Sequence, residues 1–423
     1  MLMIFDLLIQ RLILSLGSIY KKVAKGSIEI LFNQIVSKGI NLLILAVAFR
    51  CLDKSSYLDL VLSIQIIFTF VSLAGAPVIV ASAKTHHQSS SLALISVSIL
   101  WTFLWLFLYY SLLFYYPGFL SYFDTKSVFF GIFLLPSFFL RNAFYGKIAG
   151  NSNRIVLVAS IMSLIMSLSL MLIGMMLPFW RSHIFFWLVS FSIVPTVESF
   201  VYFVHLLRLR DVSWRLSHVF LLLKTIVTYA LPSMVGGSSL QLAYTFMMLE
   251  SSRADKIKDA IIALSWAAQI RGPIMIVSNA LGSACMLGMY KSKSYSLVSS
   301  QIKSSAKIIG LVTFTTMALS PLALVFLGRL SMQAVIIVNL VLLGSLATGL
   351  ISVIQSLLFG LNREYLAVVG VIVPSLLIIL GFQFPFTLRS GLTVAITYCG
   401  ILWLSFPIFG MYARRIIVRI NNL

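Results

Sequence analysis

The chain has 423 residues, 60% of them hydrophobic and 10% charged, and a mean hydropathy of +1.04, far outside the range of soluble globular proteins. Its formal charge of +20 would suggest nucleic acid in a soluble chain, but no basic tail or RNA-type motif accompanies it, so nucleic acid is not an expected partner. Cys51, Cys285 and Cys399 lie far apart, and His86 and His87 have no thiolate or carboxylate neighbours, so no metal site is expected.

Residues 1–25 carry Lys21, Lys22 and Lys25 after their apolar part rather than before it, unlike a cleavable signal. On a helical wheel Asp6, Gln10, Arg11, Ser18, Lys21 and Lys22 share an arc of roughly 160°, as in an amphipathic helix lying in the headgroup plane. Apolar blocks follow at about 27–50, 57–83, 91–116, 127–147, 154–178 and 184–207. A basic connector, LRLRDVSWRLSHVFLLLK, then leads to six more blocks at about 225–249, 258–289, 304–328, 332–360, 364–382 and 392–413. These lengths suit helices crossing a ~30 Å hydrocarbon core, and the alternating ~10-residue segments of a membrane barrel are missing. The expected fold class is an all-α polytopic membrane protein with about 12 transmembrane helices. Its expected divisions are an interfacial helix at 1–25, a six-helix lobe at 26–207, a cytoplasmic connector at 208–224 and a second lobe at 225–423.

The N-terminus, the C-terminus and the even-numbered connections hold 20 of the 31 Lys and Arg residues; the other connections hold nine, and Lys38 and Arg271 lie inside spans. The positive-inside rule then puts both termini in the cytoplasm. Arg141 is counted with the connection between spans four and five, as a side chain snorkelling from the bilayer edge. FRCLDKSSY, ending the first span, resembles FMMLESSRA, ending the seventh. This suggests two parallel repeats about an axis normal to the membrane.

Three spans carry unusual residues. In the first, Asn33, Gln34, Ser37, Lys38 and Asn41 fall within an arc of roughly 140°. Small polar residues glue helices together, but a lysine at membrane depth costs at least ~2.5 kcal/mol and marks a cavity or a partner. Glu198, near the middle of span six, is a candidate counter-ion for Lys38 and a candidate coupling residue. Span eight holds Arg271 about 18 Å from its start, with Gln269 on a neighbouring polar stripe and Pro273 able to kink the helix. Span seven contains Pro232, Gly236 and Gly237, and span two contains Gly75 and Pro77; both sets suit a hinge or a small-residue packing face. With one intramembrane acid for two cations, a cavity between the halves would be net positive and attract anions. Guanidinium and ammonium groups suit a pyrophosphate head. Walker, kinase and nucleophile-elbow motifs are missing and no connection offers a catalytic domain, so an enzyme is not expected.

The six-plus-six layout, NQIVSKGINLLILAVAFRCLDKSSYLDL, the GAP at 75–77 and ALPSMVGGSSLQLAYTFMML before a charged outer connection resemble the bacterial polysaccharide flippases, the Wzx-type O-antigen translocases. That resemblance implies the multidrug/oligosaccharidyl-lipid/polysaccharide (MOP) exporter fold: two six-helix lobes around a central cavity, as in MATE transporters. It also implies a bacterial inner-membrane flippase that moves an undecaprenyl-pyrophosphate-linked oligosaccharide from the cytoplasmic to the periplasmic leaflet by alternating access. Lys38 and Arg271 match the family's cationic cavity positions by helix and depth, and Asn33, Gln34, Asn41, Gln269 and Glu198 would line the path or couple it to H+ or Na+. Implied partners are membrane lipids, a polysaccharide polymerase and a chain-length regulator, with no bound cofactor. The alternatives are a cation-coupled multidrug exporter of the same superfamily, which would want more cavity acids, and a membrane polysaccharide polymerase, which would need a large periplasmic loop.

Overall fold

The computed structural model describes residues 33, 36–37, 39–85, 90–115, 135–148, 153–177, 182–208, 215–227, 231–252, 258–291, 295–326, 331–361, 363–388 and 390–421. Among them every regular element is helical, as lipid requires of a chain that must satisfy its backbone groups within each segment. The first half contains α1 (Gly39–Cys51), α2 (Lys54–Lys84), α3 (Ser91–Tyr115), α4 (Leu135–Ile148), α5 (Asn153–Met176) and α6 (Ile184–Arg208). After α7 (Leu216–Thr225), the second half contains α8 (Leu231–Ser252), α9 (Lys258–Ile270), α10 (Gly272–Lys291) and α11 (Tyr295–Phe326). It ends with α12 (Met332–Gly360), α13 (Glu364–Gly381) and α14 (Gly391–Asn421). Six described stretches, among them Arg154–Met176 and Met332–Leu358, are long and apolar enough to cross a membrane.

In the first half α2 packs on α4, and α4 and α5 on α6; in the second α10, α11 and α14 pack on α12. The halves meet chiefly where α2 lies against α8. Small residues set the closest approach: a Cβ at Gly349 on α12 would overlap the Ser278 hydroxyl of α10, so these helices sit as close as glycine allows. Outward rows such as Phe103 and Phe107 on α3, Phe314 and Leu322 on α11, and Leu404 and Ile408 on α14 are exposed, which suits a lipid-facing surface.

Two sequence expectations change. The block at 258–289 is not one helix but two, interrupted at Arg271. Pro273 has no N–H for the Gln269 carbonyl, so the ladder misses a bond there, while the Arg271 N–H still reaches Ala267 at 2.9 Å and Met275 donates to the Arg271 carbonyl at 3.2 Å. The block at 304–328 begins earlier, because α11 continues the helix back to Tyr295. The interfacial helix expected at 1–25 lies outside the described residues. The described part of the connector forms α7, whose Leu222 and Thr225 are buried while Leu216 and Phe220 are exposed.

Between α1 and α2, the Asp53 carboxylate accepts the backbone N–H groups of Ser55 and Ser56, both at 3.1 Å. It thereby caps α2. Hydrogen bonding from the Ser56 side chain and backbone holds its carboxyl below the ordinary 3.8. A depressed folded-state pKa stabilises fully above the unfolded value and loses its effect as pH falls through the folded one. Asp53→Ala should therefore cost about 1 kcal/mol at neutral pH. The difference in melting temperature from the wild type should close in strong acid.

Candidate functional site

A cavity of about 420 Å³ lies between the halves. The first half contributes Asn33, Ser37, Asn41, Gln65, Arg141 and Asn142; the second contributes Gln241, Gln269, Arg271 and Asn279. On α4 the lining runs from Phe138 to Tyr145, on α10 it occupies the first turns from Gly272 to Asn279, and Asn33, Ser37 and Asn41 contribute from the first part of span one. At the opposite end the space is filled. Phe49 packs edge-on against Tyr57 and Trp266 with ring centroids 4.9 and 5.4 Å apart, and the Trp266 indole N–H donates to the Tyr57 hydroxyl at 2.9 Å. Below this seal the Gln65 amide donates to the Thr245 hydroxyl at 3.1 Å, and the Thr69 and Thr245 hydroxyls meet at 2.5 Å. Each of these polar contacts joins α2 to α8 or α9. The cavity is therefore closed at the end carrying the one–two and seven–eight connections.

Two arginines face this space from opposite halves. Arg271 sits at the junction of α9 and α10, where its backbone N–H still bonds the Ala267 carbonyl at 2.9 Å and its carbonyl accepts from Met275 at 3.2 Å. Its guanidinium donates to the Gln241 side-chain oxygen at 2.9 Å and to the Tyr398 hydroxyl at 3.2 Å. It also lies over the Tyr244 ring, 4.4 Å from the centroid, a favourable cation–π placement. All three partners are neutral, and among the described residues no carboxylate pairs with it. Gln269 is buried beside it, and its side-chain oxygen has no hydrogen-bond donor among the described residues.

Arg141 stands differently. Its Nε donates to Glu198 Oε2 at 2.5 Å, and Asn33 donates to the other carboxylate oxygen at 2.6 Å and to the Ser160 hydroxyl at 2.8 Å. The four side chains tie α4, α5 and α6 to the start of span one. Glu198 is 1% exposed and Arg141 23%, so the carboxylate lies behind the guanidinium, which faces the cavity.

This corrects the sequence reading of Arg141 as a snorkelling residue: it lies within α4 and holds the Glu198 carboxylate. The signal in the sequence is an arginine inside the apolar run LPSFFLRNAF. Asn33 serves the ion pair. Asn41, Gln269 and Arg271 line the cavity, whereas Lys38 and Gln34 lie outside the described residues. Of the hinge candidates, Pro77, Gly236 and Gly237 lie in continuous helix, and Pro232 occupies the first turn of α8, where its missing N–H costs no helical bond. The interruption in span eight falls next to Gly272 and Pro273.

A scan against protein-family models finds no match, and a search of curated proteins finds none either. Solved structures do match in fold. An inward-facing multidrug resistance MATE transporter of the MOP superfamily aligns with a TM-score of 0.69 at 14% identity, covering 92% of this chain and 96% of its own. An outward-facing MATE transporter aligns at 0.64 and 15% identity, covering 94% and 96%. The lipid II flippase MurJ, in an inward closed conformation, aligns at 0.67 and 16% identity, covering 92% and 87%. The chain therefore has the fold of the MATE and MurJ transporters.

A fold seen both inward- and outward-facing directs attention to the aromatic seal. With Cys51, Cys285 and Cys399 replaced by serine and Ser37→Cys introduced into the cavity wall, Trp266→Ala should expose that cysteine from the sealed side. A membrane-impermeant thiol reagent added there should label it several-fold faster than with Trp266 intact. Equal rates would show that the seal does not control access.

Proposed function

We propose that the protein is a flippase for a lipid-linked oligosaccharide, moving an undecaprenyl-pyrophosphate-linked repeat unit from the cytoplasmic to the periplasmic leaflet of the bacterial inner membrane. The observation that carries this reading is Arg271: a guanidinium at membrane depth, aimed into the cavity between the halves and held only by neutral groups among the described residues. A part-buried cation without a counter-ion is still costly, and a phosphate oxygen would supply the missing charge through geometry that suits guanidinium. Lys38 is the second proposed pyrophosphate contact. The sugars would occupy the wet wall of Asn41, Gln65, Asn142 and Gln269, where the Gln269 oxygen can accept a hydroxyl. The polyprenyl tail would stay in lipid. Release of the sealed end and closure of the open one would pass the head group through, with the break at Arg271 and Pro273 as the bending point.

Export of cationic drugs is the second reading, favoured by the MATE fold likeness. The cavity's charge weighs against it. Its described lining has no carboxylate, and Glu198 lies behind the wall, already neutralised by Arg141.

Arg271→Glu and Lys38→Glu, introduced separately, should each abolish surface polysaccharide while the protein still accumulates in the membrane. Arg271→Lys, which keeps the charge but loses the planar contacts with Tyr244 and Gln241, should retain partial activity. Normal polysaccharide from both charge reversals would overturn the reading.

A further inference from the structure

The Arg141–Glu198 pair is not needed to close the fold, since α4 and α6 are already packed through apolar side chains such as Phe144, Tyr202 and Leu206. An ion pair placed this deep gives little net stability for its desolvation. Its placement is asymmetric. The carboxylate is sealed, with one oxygen on Arg141 and the other on Asn33, while the guanidinium forms part of the cavity wall. Arg141 also sends a 3.4 Å hydrogen bond to Asn33 and lies 5.8 Å from the centre of the Tyr145 ring. Its bonds to Glu198 and Asn33 use Nε and one terminal nitrogen, and a guanidinium offers five N–H donors.

We infer that Arg141 is a further anion contact, set across the cavity from Arg271, and that Glu198 is its resident counter-ion, which keeps this first-half contact weak. This rests on the proposed anion-binding reading of the cavity. The ligand chemistry is a pyrophosphate or a similar polyanion. The geometry has a consequence for release: two uncompensated guanidiniums on one small cavity would hold a polyanion tightly, whereas a transporter must let it go. The buried carboxylate beside one of them opposes the bound charge at short range, where Coulomb terms act with little screening. Glu198 thus acts on the ligand through Arg141, without touching it.

The test is a binding cycle on the purified full-length protein in detergent, with inorganic pyrophosphate and geranyl pyrophosphate as separate probes. Glu198→Gln keeps the shape and an acceptor for Arg141 but removes the negative charge; it should bind pyrophosphate roughly tenfold more tightly than the wild type. Loss of packing does not produce such a gain. The Arg141→Gln/Glu198→Gln double variant should lose the gain, and Arg141→Gln alone, which leaves the carboxylate unopposed, should bind most weakly. Should Glu198→Gln fail to fold, the comparison of Arg141→Gln with the double variant carries the test, because removing the carboxylate must then restore binding about tenfold. Tighter binding of the prenylated probe assigns the anion to a lipid head group, and equal binding assigns it to a free phosphate; in both cases the Glu198 effect must appear. If the wild type binds and neither comparison moves, the inference fails and the reading of Arg271 stands. If no variant binds either probe, both fail.

Discussion

A charged side chain at membrane depth has to be given a partner, and the architecture of this protein follows from how it treats two of them. Arg141 receives a carboxylate, which in turn is held by Asn33, whose amide also donates to Ser160, so that four segments of the first half converge on one point. Arg271 receives an amide oxygen, a hydroxyl and an aromatic face, but no charge among the described residues. The first arrangement is locally complete. The second is satisfied in its hydrogen bonds and unsatisfied in its charge, which is the condition of a binding site awaiting an anion.

One apolar core runs through both halves, and polar contacts are added to it where they meet. Inside each half, helices interdigitate through aliphatic and aromatic side chains and close glycine contacts. Between them, α2 meets α8 and α9 through Tyr57, Gln65 and Thr69 on one side and Thr245 and Trp266 on the other. Such neutral hydrogen bonds each contribute about 1 kcal/mol net, so a few can hold one conformation without locking it. The junction of α9 and α10 lies beside this interface, and Arg271 at that junction lines the cavity. In the proposed mechanism, substrate contact and bending would then fall in one residue's neighbourhood.

Much of the fold was legible in the sequence because the bilayer imposes a length and a polarity on every span. Block lengths alone located nearly all the helices. The wet face of span one was legible for a similar reason: polar residues at helical spacing stand out against an apolar background. Arg271 was legible as a charge but not as a direction, because which side of a helix meets the cavity depends on how the helices pack, which a helical wheel of one span does not encode. Arg141 was the clear miss. Its position near the drawn end of a span invited a snorkelling interpretation, and the partner that decides the matter, Glu198, lies 57 residues away. Pairing between distant spans depends on how helices are arranged, which hydropathy does not encode. In the sequence Glu198 had a candidate partner in Lys38, which lies outside the described residues.

The central claim is that Arg271 holds the phosphate of a lipid-borne head group as it crosses the membrane. Its most direct measurement is translocation itself, in proteoliposomes holding the purified protein and a fluorescent prenyl-pyrophosphoryl sugar, with exposure of the label to an impermeant quencher followed over time. The account predicts protein-dependent exchange between leaflets that is lost in Arg271→Gln and is not supported for a prenyl alcohol glycoside lacking the pyrophosphate. Equal exchange by Arg271→Gln, or equal transport of the phosphate-free lipid, would contradict it.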